Sequence, residues 1–195
     1  VGPQARDVVH LDAPVGENLH NIAKALERKV TDLVIVVLDR ERNGELIEGI
    51  RSAGSRVQLI KDGDLIPGIA VCMKGSNIHG VMGIGAAPEG VLSAAGLRFL
   101  RGGMQARFWP KDDEQRRRLI DMGGDPDKIY TEKDLASGDM MVFSATAVTS
   151  GDLFDGVRFF NEGARTDSLL IYSDRTMGAV TFNDTTHAFT PQGIE

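Results

Sequence analysis

Three short segments of this chain carry residue types that can hold an anion and a hard cation side by side. They are Asp39-Arg40-Glu41-Arg42, Asp62-Gly63-Asp64, and Gly83-Ile84-Gly85-Ala86-Ala87-Pro88-Glu89-Gly90. In an extended backbone alternate residues share a face, so the Arg40 and Arg42 guanidinium groups can converge on one phosphate. The same pair can equally be solvated charges with Asp39 and Glu41 as partners. Asp62 and Asp64, flanking a glycine, can accept hydrogen bonds from sugar hydroxyls or coordinate a divalent cation. They can also form an Asx turn that caps the next helix. In the third segment small residues allow close approach to the backbone, and Pro88 sits where a helix takes its first residue. The amide-rich start of that helix favours negative charge. Glu89, in the first turn, either complements the helix dipole or offers oxygen to magnesium or manganese.

Other chemistries are poorly supported. Pro88 occupies the third glycine position of a GxGxxG fingerprint and no acidic residue follows at the usual distance, which disfavours a dinucleotide-binding oxidoreductase. A P-loop is excluded because GK[ST] is absent. His10, His20, His79 and His187 are scattered without zinc-ligand spacing. Ser93 and Ser144 lack a GxSxG elbow. KDDEQRRR at 111–118 reads as a solvated helix face with its acids leading and bases trailing, and Trp109 reads as packing.

The elements that must position these segments follow from hydrophobic patterning. Leu19, Ile22, Ala23 and Leu26 predict a helix over 17–28. VIVVL at 34–38 has no alternation, as in a strand covered on both faces. Asn43 can cap a helix that ends at Gly54, RVQLI at 56–60 is a second strand, and DLIPGIAVCM is a short helical stretch. HGVMGIG at 79–85 is a third strand running into a glycine turn. A helix over 88–101 is assigned Val91, Leu92, Ala95 and Phe99 as its apolar face, followed by a strand at 104–109 and a helix at 111–122. MMVFSATAV, GVRFF, SLLIYS and AVTF then read as strands. An α/β half followed by a β-rich end predicts an α/β class, one layered domain over 1–195 with a mixed β-sheet flanked by helices. Ligands of parallel sheets bind at the carboxyl ends of the strands. If the first three strands are neighbours, the three segments line one crevice.

The 195 residues carry 22 basic and 28 acidic side chains, a net charge of −6. That balance gives no general attraction for nucleic acid or an anionic membrane, so an anionic ligand must be held by local groups. Cys72 is the single cysteine, read as a buried, inert thiol, and the composition suits a reducing cytoplasm. No run approaches about 18 uninterrupted apolar residues, and no signal-like segment occurs. The chain opens on Val1 rather than Met, which suggests either a removed initiator segment or a piece of a longer protein.

LDRERNGELIEGIRSAGSRVQLIKDGD resembles the stretch of class II fructose-1,6-bisphosphatases that runs from RPRH through an AGARV-like strand to DGD. SNIHGVMGIGAAPEGVLSAAGLRFLRGGMQARF is similar to their GIGGAPEG segment with its helix, FSATAVTSGDLFDGVRFF to their ATGIT.GDLL.GVR segment, and ARTDSLLIYSDRT with DTTH to their closing strands. The likeness runs from about Val1 to about His187. It implies the C-terminal part of a layered sugar-phosphatase fold. It also implies hydrolysis of the 1-phosphate of fructose 1,6-bisphosphate in gluconeogenesis or a related carbon cycle, with Mg2+ or Mn2+ as cofactor, in a cytoplasmic homo-oligomer. Arg40, Glu41 and Arg42 fall on the family's phosphate-binding segment, and Asp62, Gly63, Asp64 and Ala86 on substrate-contacting positions. Glu89 falls on its metal-linked glutamate. RERN replaces RPRH, placing Asn43 where a histidine is usual and Glu41 where proline is; Ala147 replaces a glycine. Ala86 also occurs in the dual fructose-1,6-/sedoheptulose-1,7-bisphosphatase branch, so sedoheptulose 1,7-bisphosphate is an alternative substrate. The family's GEGE-like and DP-[IC]-EGT metal motifs do not occur in this sequence, so the chain by itself is expected to bind phosphate weakly and not to turn over. A non-catalytic sugar-phosphate-binding module is the competing reading.

Overall fold

A computed structural model describes residues 1–151, 153–173 and 178–189. Asp152 of GDLFDGVR and Asp174, Arg175 and Thr176 of ARTDSLLIYSDRT lie outside the described residues. The chain divides into two compact units, Val1–Ser137 and Gly138–Glu195.

The first unit runs α1 (Val15–Ala25), β1 (Val34–Leu38), α2 (Gly44–Ser52), β2 (Arg56–Ile60), α3 (Leu65–Ala70), β3 (Gly80–Val81) and α4 (Ala87–Phe99). It continues with β4 (Gln105–Ala106), α5 (Asp113–Asp121), β5 (Tyr130–Thr131) and α6 (Glu132–Leu135). β1 is the middle of a three-stranded parallel sheet in the order β2-β1-β3. Its β-branched run is buried on both faces by strand alternation: Ile35 and Val37 pack with Leu19, Ile22 and Ile50 of α1 and α2, while Val36 packs with Ala70 and Ile78. All three β1 side chains are fully buried. The start of β3 is pinned by His79, whose N–H donates to the Val34 carbonyl while its Nδ1 accepts from the Val34 N–H, both at 2.9 Å.

α4 differs from its expected orientation. Val91 and Leu92 are 42% and 48% exposed, and the buried positions are Ala94, Gly96 and Leu97. The helix is apolar nearly all round, so its periodicity does not select a face. Close packing does. A Cβ on Gly96 would lie 3.0 Å from Ile69 Cγ1, and one on Gly68 would lie 3.2 Å from Ser93 Oγ, so α3 and α4 meet through small residues. The strand expected over 104–109 is only two residues long and pairs antiparallel with β5. α6 opens with a reciprocal capping box between Thr131 and Asp134.

The second unit is antiparallel: β6 (Met141–Thr146), β7 (Arg158–Phe160), β8 (Gly163–Ser173) and β9 (Gly178–Ala188). β9 pairs along all of β8, leaving β6 and β7 to share the other edge. Phe143, Phe154, Leu169 and Ile171 are its buried side chains of largest size, and every residue of β9 is exposed. Helices thus flank a parallel sheet and the antiparallel strands form a second one, an α/β fold. No helix among the described residues is long and apolar enough to cross a membrane.

Candidate functional site

Parallel pairing brings the exits of β1, β2 and β3 to one edge of the sheet, and the three chemistry-bearing segments leave from there. The backbone does not stay extended after β1: Glu41–Asn43 form a 3-10 turn. Arg40 and Arg42 therefore do not share a face. Arg40 reaches towards β2, donating from Nη1 to the Asp39 carbonyl at 3.0 Å and from Nη2 to the Lys61 carbonyl at 2.6 Å. Arg42 reaches towards β3, donating from Nε to the Ile84 carbonyl at 2.9 Å. Its two Nη groups are not consumed by that bond.

Asn43 occupies the N-cap position expected of it, but its side chain makes no capping bond to α2. It is almost fully buried and spans two strands instead, donating from Nδ2 to the Leu38 carbonyl and accepting at Oδ1 from the Ile84 N–H, each at 2.9 Å.

At the exit of β2, Asp62 Oδ1 accepts from the Gly63 N–H at 2.8 Å, closing a local turn. Asp64 stands before α3 without capping it. Its carboxylate is turned across to the glycine loop, where a Cβ on Gly85 would meet Asp64 Oδ2 at 2.7 Å. Burial raises the Asp64 carboxyl above its ordinary range, and the negative charges of Glu89 and then Asp62 push it further. Glu89 lies in the first turn of α4, and its Oε2 is buried with no hydrogen-bond partner among the described residues.

At this edge lies a cleft of about 1160 Å³ within the first unit, whose lining includes Arg42, Asp64, Gly85, Ala86 and Trp109. Of the residues singled out from the sequence, Arg42, Asp64 and Ala86 line it. Arg40, Glu41, Asp62, Gly63 and Glu89 are not part of its lining. Glu89 is tied to this group through its charge on Asp64. Trp109, read as packing, is 55% exposed on the cleft wall, because β4 ends three residues before it. Among the described residues no three His, Cys, Asp or Glu side chains come together in a way that could hold a metal ion. The orphaned Glu89 oxygen and the Asp64 carboxyl, coupled to it by charge, are hard oxygen donors of the type magnesium and manganese take.

The family model for bacterial fructose-1,6-bisphosphatase, glpX-encoded, matches residues 1–187. The chain belongs to the class II fructose-1,6-bisphosphatase family. Among its class II relatives is the D-fructose 1,6-bisphosphatase class 2/sedoheptulose 1,7-bisphosphatase of Synechococcus sp. (strain JA-3-3Ab), 48% identical over 95% of this chain and 56% of that protein. The protein of the same name from Trichodesmium erythraeum (strain IMS101) is 44% identical over 95% of this chain and 57% of that protein. The chain thus spans a little over half the length of the curated class II relatives it matches. Trp109 on the cleft wall, and Asn43 buried behind the Arg42 and Ile84 pair, are two residues that sequence reasoning did not assign to the site. For Asn43 the available signal was a lone amide directly after the two arginines, able to donate and accept at once.

Proposed function

We propose that this chain supplies the sugar-phosphate-binding part of a phosphatase that removes the 1-phosphate of fructose 1,6-bisphosphate, and that sedoheptulose 1,7-bisphosphate is a second substrate. The observation that carries this reading is the meeting of Arg42, Asp64 and Ala86 at one cleft, with Glu89 charge-coupled to Asp64. Arg42, oriented by its Nε bond, offers its Nη fork to a phosphate. The start of α4, opening at Ala86, adds free backbone N–H groups. Asp64 accepts from a sugar hydroxyl. Water oxygen bonds to phosphorus, the bond from phosphorus to the C1 oxygen breaks, and that oxygen takes up a proton, giving fructose 6-phosphate and inorganic phosphate.

Glu89 fits as one ligand of a Mg2+ or Mn2+ ion, because its Oε2 has no other partner among the described residues. Such an ion, when bound, polarises the phosphoryl group and activates the attacking water. The remaining ligands belong to the part of the relatives that this chain does not span. Arg40, Glu41, Asp62 and Gly63, outside the cleft lining, are assigned to substrate contacts by the family resemblance alone. A cytoplasmic homo-oligomer is the form in which the reading places the whole protein.

The test is a calorimetric titration of fructose 1,6-bisphosphate into the chain, paired with phosphate release by a polypeptide of the relatives' full length carrying this sequence. Binding that Arg42→Ala weakens about tenfold, and release that needs a divalent cation, are the expected results. A full-length protein that binds both metal and sugar bisphosphate yet releases no phosphate would leave only the binding-module reading.

A further inference from the structure

Main-chain pairing of β3 with β1 ends early. Its last bond is from the Met82 N–H to the Val36 carbonyl, at 3.1 Å. Beyond that point the glycine-rich loop is tied to the exit of β1 by two consecutive side chains. Both act on one peptide residue: Asn43 takes the Ile84 N–H and Arg42 holds the Ile84 carbonyl. Asn43 is itself held by the Leu38 carbonyl and is only 1% exposed. Gly83 has φ +128, and a Cβ there would stand 3.1–3.3 Å from the Asn43 Oδ1, Cγ and Nδ2 atoms. The flat face of the amide therefore rests on the Gly83 Cα.

We infer that Asn43 is the positioning residue of the glycine-rich loop: by holding Ile84 it sets where the Ile84 carbonyl lies, and so how Arg42 presents its guanidinium to the cleft. An amide suits this place because it donates to Leu38 and accepts from Ile84 at once, with no net charge beside an anion-binding arginine. The positioning role rests on the proposed function only for the ligand that Arg42 receives. The geometry around Ile84 is independent of it.

The deciding measurement is amide hydrogen exchange at Ile84 in the chain as it stands, with Val36 and Val37 as reporters of the intact sheet. In Asn43→Ala the Ile84 protection factor is expected to fall about tenfold or more while Val36 and Val37 keep theirs, since the lost bond serves the loop alone. Unchanged Ile84 protection in a folded Asn43→Ala chain overturns the inference. Asn43→Asp supplies a readout that mere space-filling would not move. Ionised, its carboxylate still accepts from the Ile84 N–H but has no proton for the Leu38 carbonyl and is repelled by it, so it loses its anchor; protonated, it regains that donor. Ile84 protection in Asn43→Asp should therefore recover as pH falls, relative to the unsubstituted chain, and a pH-independent loss counts against the proposal. Titration with inorganic phosphate, followed on the Arg42 Nε and Gly85 signals, is expected to weaken several-fold in Asn43→Ala. Absence of any phosphate response in the unsubstituted chain argues against the sugar-phosphate reading alone, and Ile84 protection still decides the role of Asn43.

Discussion

Asp64 sits where its charge costs stability. Burial and the Glu89 charge raise its carboxyl, so the folded chain takes up a proton more readily than the unfolded one. Above the ordinary carboxylate range the ionised form costs stability, and that cost disappears as pH falls through the raised value. Asp64→Asn should therefore raise the melting temperature at pH 7 by about 2 °C, with the difference closing under acid, while fructose 1,6-bisphosphate binding weakens. Equal melting temperatures across that pH range would contradict the assignment. His79 gives the opposite slope. Burial first, then Arg28 and Arg56, lower its basicity, and the Val34 N–H needs its Nδ1 unprotonated. Stability should be full above the ordinary imidazole range and decline as pH drops below it, because the unfolded chain binds that proton and the folded one resists. Urea midpoints at about pH 7.5 and 5.5, chosen to straddle that range, should differ less in His79→Leu than in the unsubstituted chain.

Among the elements, the glycine loop separates shape from chemistry. Gly83→Ala meets both an unfavourable φ and the Asn43 amide, so a loss of about 2 kcal/mol in denaturant unfolding is expected. Gly85→Ala meets only the mobile end of Asp64, so it should leave stability nearly unchanged and impair sugar-phosphate binding. Thr131→Ala, which removes the capping box of α6, should cost about 1 kcal/mol in the same assay. β1 was legible to the residue because a β-branched run buried on both faces is hard to mistake, and β2 because Val57, Leu59 and Ile60 form a short apolar run just after the Gly54 helix stop. β5 and α6 were not, being two and four residues long, too short for a hydrophobic period to repeat. β8 and β9, eleven residues each, were seen only as their apolar pieces SLLIYS and AVTF, since the rest of each strand, GARTD at 163–167 and NDTTHA at 183–188, carries no apolar run. At the site, the convergence of three strand exits was legible from order alone. The divergence of Arg40 from Arg42 was not, because it depends on a 3-10 turn that no residue pattern announces.

For the molecule as a whole, every residue assigned to the cleft falls in the unit Val1–Ser137. A chain ending at Ser137 should keep the phosphate response of the longer one, measured by the same titration, whereas Gly138–Glu195 alone should show none. The reading of the site as part of a larger active centre fits the chain's match to a little over half of each relative. It also fits an acidic pair that is too small to hold a metal by itself.

The two arginines have a consequence for how this sheet edge tolerates change. One tripeptide after the central strand clasps the neighbour on its left with Arg40 and the neighbour on its right with Arg42. Lengthening the connection by a single residue would misplace both hands together, so insertions here are expected to be far less tolerated than in ordinary surface loops.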